Sequence, residues 1–216
     1  LYDDGIIYHF PKTESPSTDQ GEISSLRNTA SENLPIFVIS NGGTTKSRKV
    51  RLGFISEFQE DRCLILFGEN SVDPNLPSGR DGVVPFVIRP PRKSRSQRTQ
   101  KLVRSAAFKF QVEARCGLRC ALCDISEPEL LDAAHVIPVA EGGPDDPRNG
   151  LILCANHHRA LDRRLVGIKP ETLEIIAGQS VSLFSLGISN PRLDQAISPA
   201  PEALMHCFDL FLSAQK

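Results

Sequence analysis

The sequence predicts an α+β chain made of two small units in series: an antiparallel β domain, then a unit in which strands and helices alternate. Three observations predict it. Residues 1–88 are short β-prone runs separated by turn-rich segments, residues 89–104 form a basic strip containing Pro and Ser, and helical spacing appears only from that strip onward. A chain of 216 residues can bury one sizeable core or two modest ones of about 100 residues each.

The β-prone runs are GIIYHF, LPIFVIS, KVRLGFISEF, RCLILFGE and GVVPFVIR, broken by segments such as NGGTTKS and DPNLPSGRDG. Apolar and β-branched residues between Gly/Pro/Asn/Asp clusters read as short strands, and a curled sheet or barrel is expected over 1–90. The stretch RPPRKSRSQRTQ has linker composition, and the basic linker is set at 91–104. A helix is expected from about 98 to 115, with Leu102, Val103, Ala106, Phe110 and Val112 at helical spacing and Gly117 as its C-cap. Beyond it, LLDAAHVIPVA reads as a strand, EGGPDDPRNG as a loop, LILC as a second strand and ANHHRALDRRL as a helix. GIKPETLEIIAG reads as a hairpin, and PAPEALMHCFDLFLSA as a terminal helix started after prolines. The second unit is thus expected over 105–216.

The net charge of −1 gives no whole-chain sign of a polyanionic partner. Its distribution does: residues 1–88 carry 8 basic and 12 acidic side chains, residues 89–104 carry 7 basic and none acidic, and residues 105–216 carry 10 basic and 14 acidic. Arg89, Arg92, Lys93, Arg95, Arg98, Lys101 and Arg104 make a positive strip between two mildly acidic halves. No apolar run approaches the ~20 residues of a membrane helix, and no basic-then-apolar leader opens the chain. A cytoplasmic protein without a membrane partner is expected. The first residue is Leu1 rather than Met, which leaves the native N-terminus undefined.

Of six cysteines, Cys120 and Cys123 form a C-x-x-C pair, and Cys154 with His157 forms a C-x-x-H pair 30 residues later. Two separate pairs at two-residue separations suit a tetrahedral metal site better than a disulfide framework, and the donor set is that of structural zinc (Zn2+). Small cysteines filling a core would explain one pair, not two in ligand spacing. His158 follows His157 on the same predicted helix and points about 100° away, so it cannot serve the same ion. Asp162 lies four residues on, on the face of His158. An i, i+4 His/Asp pair can hold a divalent cation or can be an ordinary surface pair. His135 has the apolar flank AAHVIP, and a neutral imidazole there is either a satisfied core residue or a group able to take a proton from water. Asn149 sits in the following loop, where Asn commonly bonds backbone and fixes loop shape.

Taken together, C-x-x-C at 120–123, AAHVIP at 133–138, GG at 142–143, NGLILC at 149–154 and HHRALD at 157–162 closely resemble the HNH nucleases over about residues 106–180. The resemblance implies a ββα-metal fold that hydrolyses phosphodiesters with one divalent ion, Mg2+ or Mn2+. It assigns His135 as general base, Asn149 as the residue bracing the loop and orienting that histidine, His158 as a ligand of the catalytic ion, and His157 to the zinc. This chain departs from many members in carrying Ala134 where they have an Asp or His ligand before the base. Asp162, at helical spacing from His158, is the preferred replacement. Asp132 is the alternative, although strand alternation puts it opposite His135.

HNH units fused to small β domains resemble modification-dependent restriction enzymes, in which a barrel related to PUA or SRA folds captures a flipped base. Tyr2, Tyr8, Phe10, Phe37 and Phe86 are the aromatics able to stack on one, each weighed against core or edge packing. The expected activity is cleavage of double-stranded DNA by a homodimer, with Arg92, Lys93, Arg95, Arg98, Lys101 and Arg104 on phosphates. The competing reading of that strip is a solvated linker. The competing readings of the chain are a zinc-stabilised DNA-binding module without nuclease activity and a secreted nuclease toxin.

Overall fold

The structure, a computed structural model, describes residues 2, 4–42, 47–68, 86–88 and 106–215. It divides into two compact units, Leu1–Leu76 with Thr99–Phe110, and Pro77–Arg98 with Gln111–Lys216.

In the first unit, β1 (Gly5–His9), β2 (Ile36–Asn41), β3 (Arg48–Phe58) and β4 (Arg62–Phe67) form an antiparallel sheet in the order β1-β4-β3-β2. β4 is inside the sheet and covered on both faces, which is why its run RCLILF does not alternate with polar residues. Cys63 and Ile65 join Phe10 and Ile55 in one cluster. Leu64 joins Ala106, Ala107 and Phe110 in another. Among the described residues the sheet is open, with β1 and β2 at its edges. Of the run GVVPFVIR, Phe86–Ile88 lie outside any strand and the rest is outside the described residues.

A helix that periodicity does not predict, α1 (Pro16–Ser31), covers the Phe10 face of the sheet. Its apolar stripe is only Ile23, Leu26 and Ala30, set in Ser, Thr, Asn and Asp that read as turn formers. Its start is fixed by Pro16 at the first position and by Asp19, whose carboxylate accepts from Thr13 N at 2.8 Å and Thr13 Oγ1 at 2.8 Å. Of the weighed aromatics, Phe10 is core, but Phe37 on edge strand β2 is 72% exposed rather than packed.

Helix α2 (Ala106–Cys116) ends at Gly117, whose φ of +75° supplies the left-handed cap. Leu102 and Val103, at the expected start of this helix, lie outside the described residues. The second unit continues with β5 (Leu131–His135), β6 (Gly150–Cys154), α3 (Ala155–Asp162), the hairpin β7 (Val166–Ile168) with β8 (Ile175–Ala177), and α4 (Pro201–Ala214). β5 and β6 pair antiparallel, and with α3 they give the expected strand, loop, strand, helix order. α4 buries Ala203, Leu204, Cys207 and Phe211. Gly167 lets the Phe211 ring lie against β7, since a Cβ there would come within 2.5 Å of it. No helix of the described residues is long and apolar enough to cross a membrane.

Candidate active site and metal centre

The β5–β6 hairpin carries chemistry at both ends. Its register pairs Leu131 with Cys154 at one end and His135 with Gly150 at the other, about 13 Å apart for four steps of ~3.3 Å.

At the Cys154 end, the ligand atoms of Cys120, Cys123, Cys154 and His157 all lie within 4.8 Å of one another, and all four residues are buried. His157 Nδ1 is 3.3 Å from Cys120 Sγ and 3.3 Å from Cys154 Sγ, and Cys123 Sγ is 4.0 Å from Cys154 Sγ. Tetrahedral zinc with ~2.3 Å Zn–S and ~2.0 Å Zn–N bonds places its ligands about 3.5–3.8 Å apart, so the spacing fits. The ring of His157 is set for this, because its Nε2–H donates to the Leu186 carbonyl at 3.0 Å and so leaves the lone pair on Nδ1. Burial pushes the Cys123 thiol up to about 12, so a bound cation is what would favour thiolate there.

The other end is shaped by the loop between the strands. Gly142 turns left-handed at φ +88°, and Gly143 then passes so close to Ile137 that a Cβ would lie 1.8 Å from its carbonyl oxygen. Asn149, fully buried, closes the loop: its Oδ1 accepts from Ile137 N at 2.9 Å, and its Nδ2 donates to Ile137 O at 3.1 Å and Pro144 O at 3.0 Å. Every polar atom of that amide is thus satisfied by backbone. Arg115 at the end of α2 donates to the carbonyls of Pro147, Gly150, Ile197 and Ser198 and so holds the loop from behind. Asp146 accepts from Arg148 N at 2.8 Å and pairs with its guanidinium at 2.7 Å. That guanidinium also lies 5.6 Å from the centre of the Phe86 ring.

His135 closes β5, and its Nε2–H donates to the Asp145 carboxylate at 2.8 Å. His135, Asp162 and Arg164 line one cleft, with Leu161, Val166 and Phe211 among its apolar walls. On α3, His157, Ala160 and Leu161 face inward, and His158 and Asp162 occupy the other face. His158 stands between two carboxylates: Nδ1 is 3.2 Å from Asp132 Oδ2, and Nε2 is 3.6 Å from Asp162 Oδ2. α3 thus brings His158 to the side chain of Asp132, the alternative ligand. Two ligands on adjacent vertices of an octahedral ion at ~2.1 Å lie about 3 Å apart, and the 3.6 Å pair needs only a small closure to match. The donor types, imidazole nitrogen and carboxylate oxygen, suit such an ion.

Arg89, Arg92, Lys93, Arg95, Arg98, Lys101 and Arg104 lie outside the described residues. Sequence reasoning missed Asp145 and Arg115. The only signal for Asp145 is its place in a loop that Gly143 and Asn149 fold tightly back, and nothing local marks Arg115 as more than the end of a helix.

No curated protein matches the chain. Among solved structures, it is similar to a "Modification dependent TagI restriction endonuclease" at 20% identity and a TM-score of 0.40, covering 96% of this chain and 75% of that one. A family model described as HNH endonuclease matches residues 120–169, the segment that holds the four buried ligands, His135, Asn149, His158 and Asp162. Residues 120–169 of this chain are therefore the part that is similar to HNH endonuclease domains.

Proposed function

We propose that the protein is a metal-dependent endonuclease of the restriction type that hydrolyses phosphodiester bonds in double-stranded DNA. The observation that carries this reading is the cleft shared by His135 and Asp162, next to His158, within the matched domain. His135 is the general base that takes a proton from the attacking water. Asn149 keeps the chain leaving β5 fixed against the loop, so that His135 keeps its aim. His158 and Asp162 hold the catalytic ion, Mg2+ or Mn2+, and Asp132 accepts the Nδ1–H of His158, leaving the lone pair on Nε2 toward Asp162. When bound, that ion supplies Lewis-acid stabilisation of charge on the scissile phosphate and the leaving 3′ oxygen. Cys120, Cys123, Cys154 and His157 hold a separate structural Zn2+.

The first unit is proposed as the reader of the target, including a modified base held in a PUA- or SRA-like manner. Phe37 supports this as an exposed aromatic face on an edge strand. The strip from Arg92 to Arg104 is proposed to bind phosphates as part of the linker over 91–104. One such site cuts one strand, so a double-strand break calls for two protomers or two successive events, and a homodimer on DNA is proposed.

A DNA-binding module without cleavage is the second reading. It is favoured by Ala134 and by the absence, among the described residues, of any three-ligand group besides the Cys/His cluster. The deciding experiment is nicking and linearisation of matched plasmids carrying unmodified, methylated or hydroxymethylated cytosine, with and without Mg2+ or Mn2+. Metal-dependent cutting supports the nuclease, whereas retarded but uncut DNA supports the binding module. Equal cutting of all three plasmids removes the modified base from the proposal.

A further inference from the structure

We propose that Asp145 is the positioning residue of His135: its carboxylate holds the ring through Nε2–H and so selects Nδ1 as the basic nitrogen. The inference rests on the reading of His135 as general base and extends it to a residue that neither periodicity nor the motif brought forward.

Three observations carry it. The contact is short, at 2.8 Å between Asp145 Oδ1 and His135 Nε2. It joins unequal partners, a largely buried imidazole with 21% of its side chain exposed and a carboxylate with 59% exposed. A polar contact with one partner so open contributes little to stability, which leaves orientation of the ring as the use of the contact. Finally, the adjacent acids of the loop are divided between two tasks. Asp146 is buried and committed to Arg148 through its backbone N–H and its guanidinium, whereas Asp145 reaches His135.

The loop that delivers Asp145 is held independently of it. Gly143 lies against the Ile137 backbone, and Asn149 bonds both Ile137 and the carbonyl of Pro144, the residue before Asp145. Asp145 therefore starts from a fixed backbone position, and its side chain spans only the last step to the imidazole. A neutral imidazole that donates from Nε2 keeps its lone pair on Nδ1. A carboxylate on the donating nitrogen also favours the imidazolium that forms when the other nitrogen takes a proton, as in catalytic triads.

The test uses the full chain with supercoiled plasmid as substrate and Mg2+ as the added metal. Asp145→Ala is expected to lower the nicking rate constant about 10- to 100-fold, a part of the roughly 10²–10⁴-fold that a general base contributes. The plasmid KM and the Mg2+ concentration for half activation should stay within about twofold, because neither phosphate contacts nor ion ligands change. Asp145→Asn, which can still accept the Nε2–H but carries no charge, is expected to fall between Asp145→Ala and the parent.

The second readout needs no activity. Long-range ¹H–¹⁵N spectra of histidine-labelled protein should show His135 as the Nε2–H tautomer, and Asp145→Ala should turn it into a mixture while the other four rings keep their signals. A His135 tautomer unchanged in Asp145→Ala would overturn the proposal, as would a tenfold rise in the Mg2+ requirement, which would make Asp145 an ion ligand. If His135→Ala nicks plasmid as fast as the parent, the general-base reading fails instead. The tautomer measurement would then still decide whether Asp145 holds the ring.

Discussion

The β5–β6 hairpin and α3 carry two groups of polar side chains under opposite conditions: a Cys/His cluster and a set of His/Asp pairs. At the Cys154 end all four ligand residues are buried and their donor atoms already lie within 4.8 Å of one another. Outside that cluster, His135 and His158 keep 21% and 27% of their side chains exposed, and Asp132, Asp145 and Asp162 are each more than half exposed. One cluster is closed and satisfied from within the chain, and the other faces outward with its carboxylates in water. A closed tetrahedral set suits a structural ion, whereas a catalytic ion needs positions left open for water and substrate. The difference between neighbouring His157 and His158 is only the ~100° turn between successive helix residues. One face of α3 is therefore buried around the cluster, and the adjacent face is open to solvent.

The largest expected effect breaks the closed end. Cys154→Ser removes a ligand shared between β6 and α3, and structural zinc contributes about 10–16 kcal/mol in small domains that fold around it. Unfolding of the second unit and loss of one equivalent of zinc are expected, measured by near-UV circular dichroism and metal analysis. A variant that kept its zinc and its Tm would show that the four residues are not one site. Strong chelators should give the same result on the parent protein.

Next in size is His135→Ala, expected to lower plasmid nicking by about 10²–10⁴-fold with fold and DNA affinity retained. A melting temperature that dropped as far as that of Cys154→Ser would mean His135 belongs to the closed class instead.

Asn149 is the exception that sharpens the contrast, since it sits at the open end and is fully buried. Asn149→Asp would turn a carboxylate oxygen toward the carbonyls of Ile137 and Pro144. A loss of about 2–4 kcal/mol is expected, since buried polar groups without partners cost about 1–3 kcal/mol each. Chemical denaturation of the second unit measures it.

The smallest expected effect separates the two carboxylates around His158. Asp162→Ala should raise the Mg2+ or Mn2+ needed for half activation by at least tenfold. Asp132→Ala, which removes an orienting hydrogen bond, should raise it less, within the 10–100-fold range seen for residues behind a metal ligand. The reverse ranking would make Asp132 the ligand and place the ion on the Nδ1 side of His158.

The closed end was readable from spacing alone, because C-x-x-C and C-x-x-H bring donors together through local turns, and the cluster follows once the hairpin forms. At the open end, His135, Asn149 and His158 were readable only as an ordered set, through the resemblance. The contact of Asp132 with His158 was not legible, because strand alternation describes β5 by itself and says nothing of which helix side chain reaches over it. Asp145 and Arg115 act through contacts set by tertiary folding, Asp145 across ten residues and Arg115 across more than thirty, and no period encodes those. In the first unit the strands were legible from β-prone runs, whereas α1 was not: three apolar residues suffice to seat a helix on a sheet that supplies the rest of the core. Phe37 went the other way, an apolar residue in a β-prone run that the fold leaves exposed.

The hairpin register has a consequence for how this domain can vary. Because Leu131 faces Cys154 and His135 faces Gly150, each five-residue strand is a spacer of fixed length between the two clusters. Deleting or inserting one residue in either strand would turn its side chains to the opposite face. Either Cys154 would leave its cluster or His135 would leave its cleft, with no way to restore one without losing the other. Length changes can be absorbed only where no such ruler operates, as in the turn between β7 and β8. Functional relatives should therefore differ in length there and agree, residue for residue, across β5 and β6.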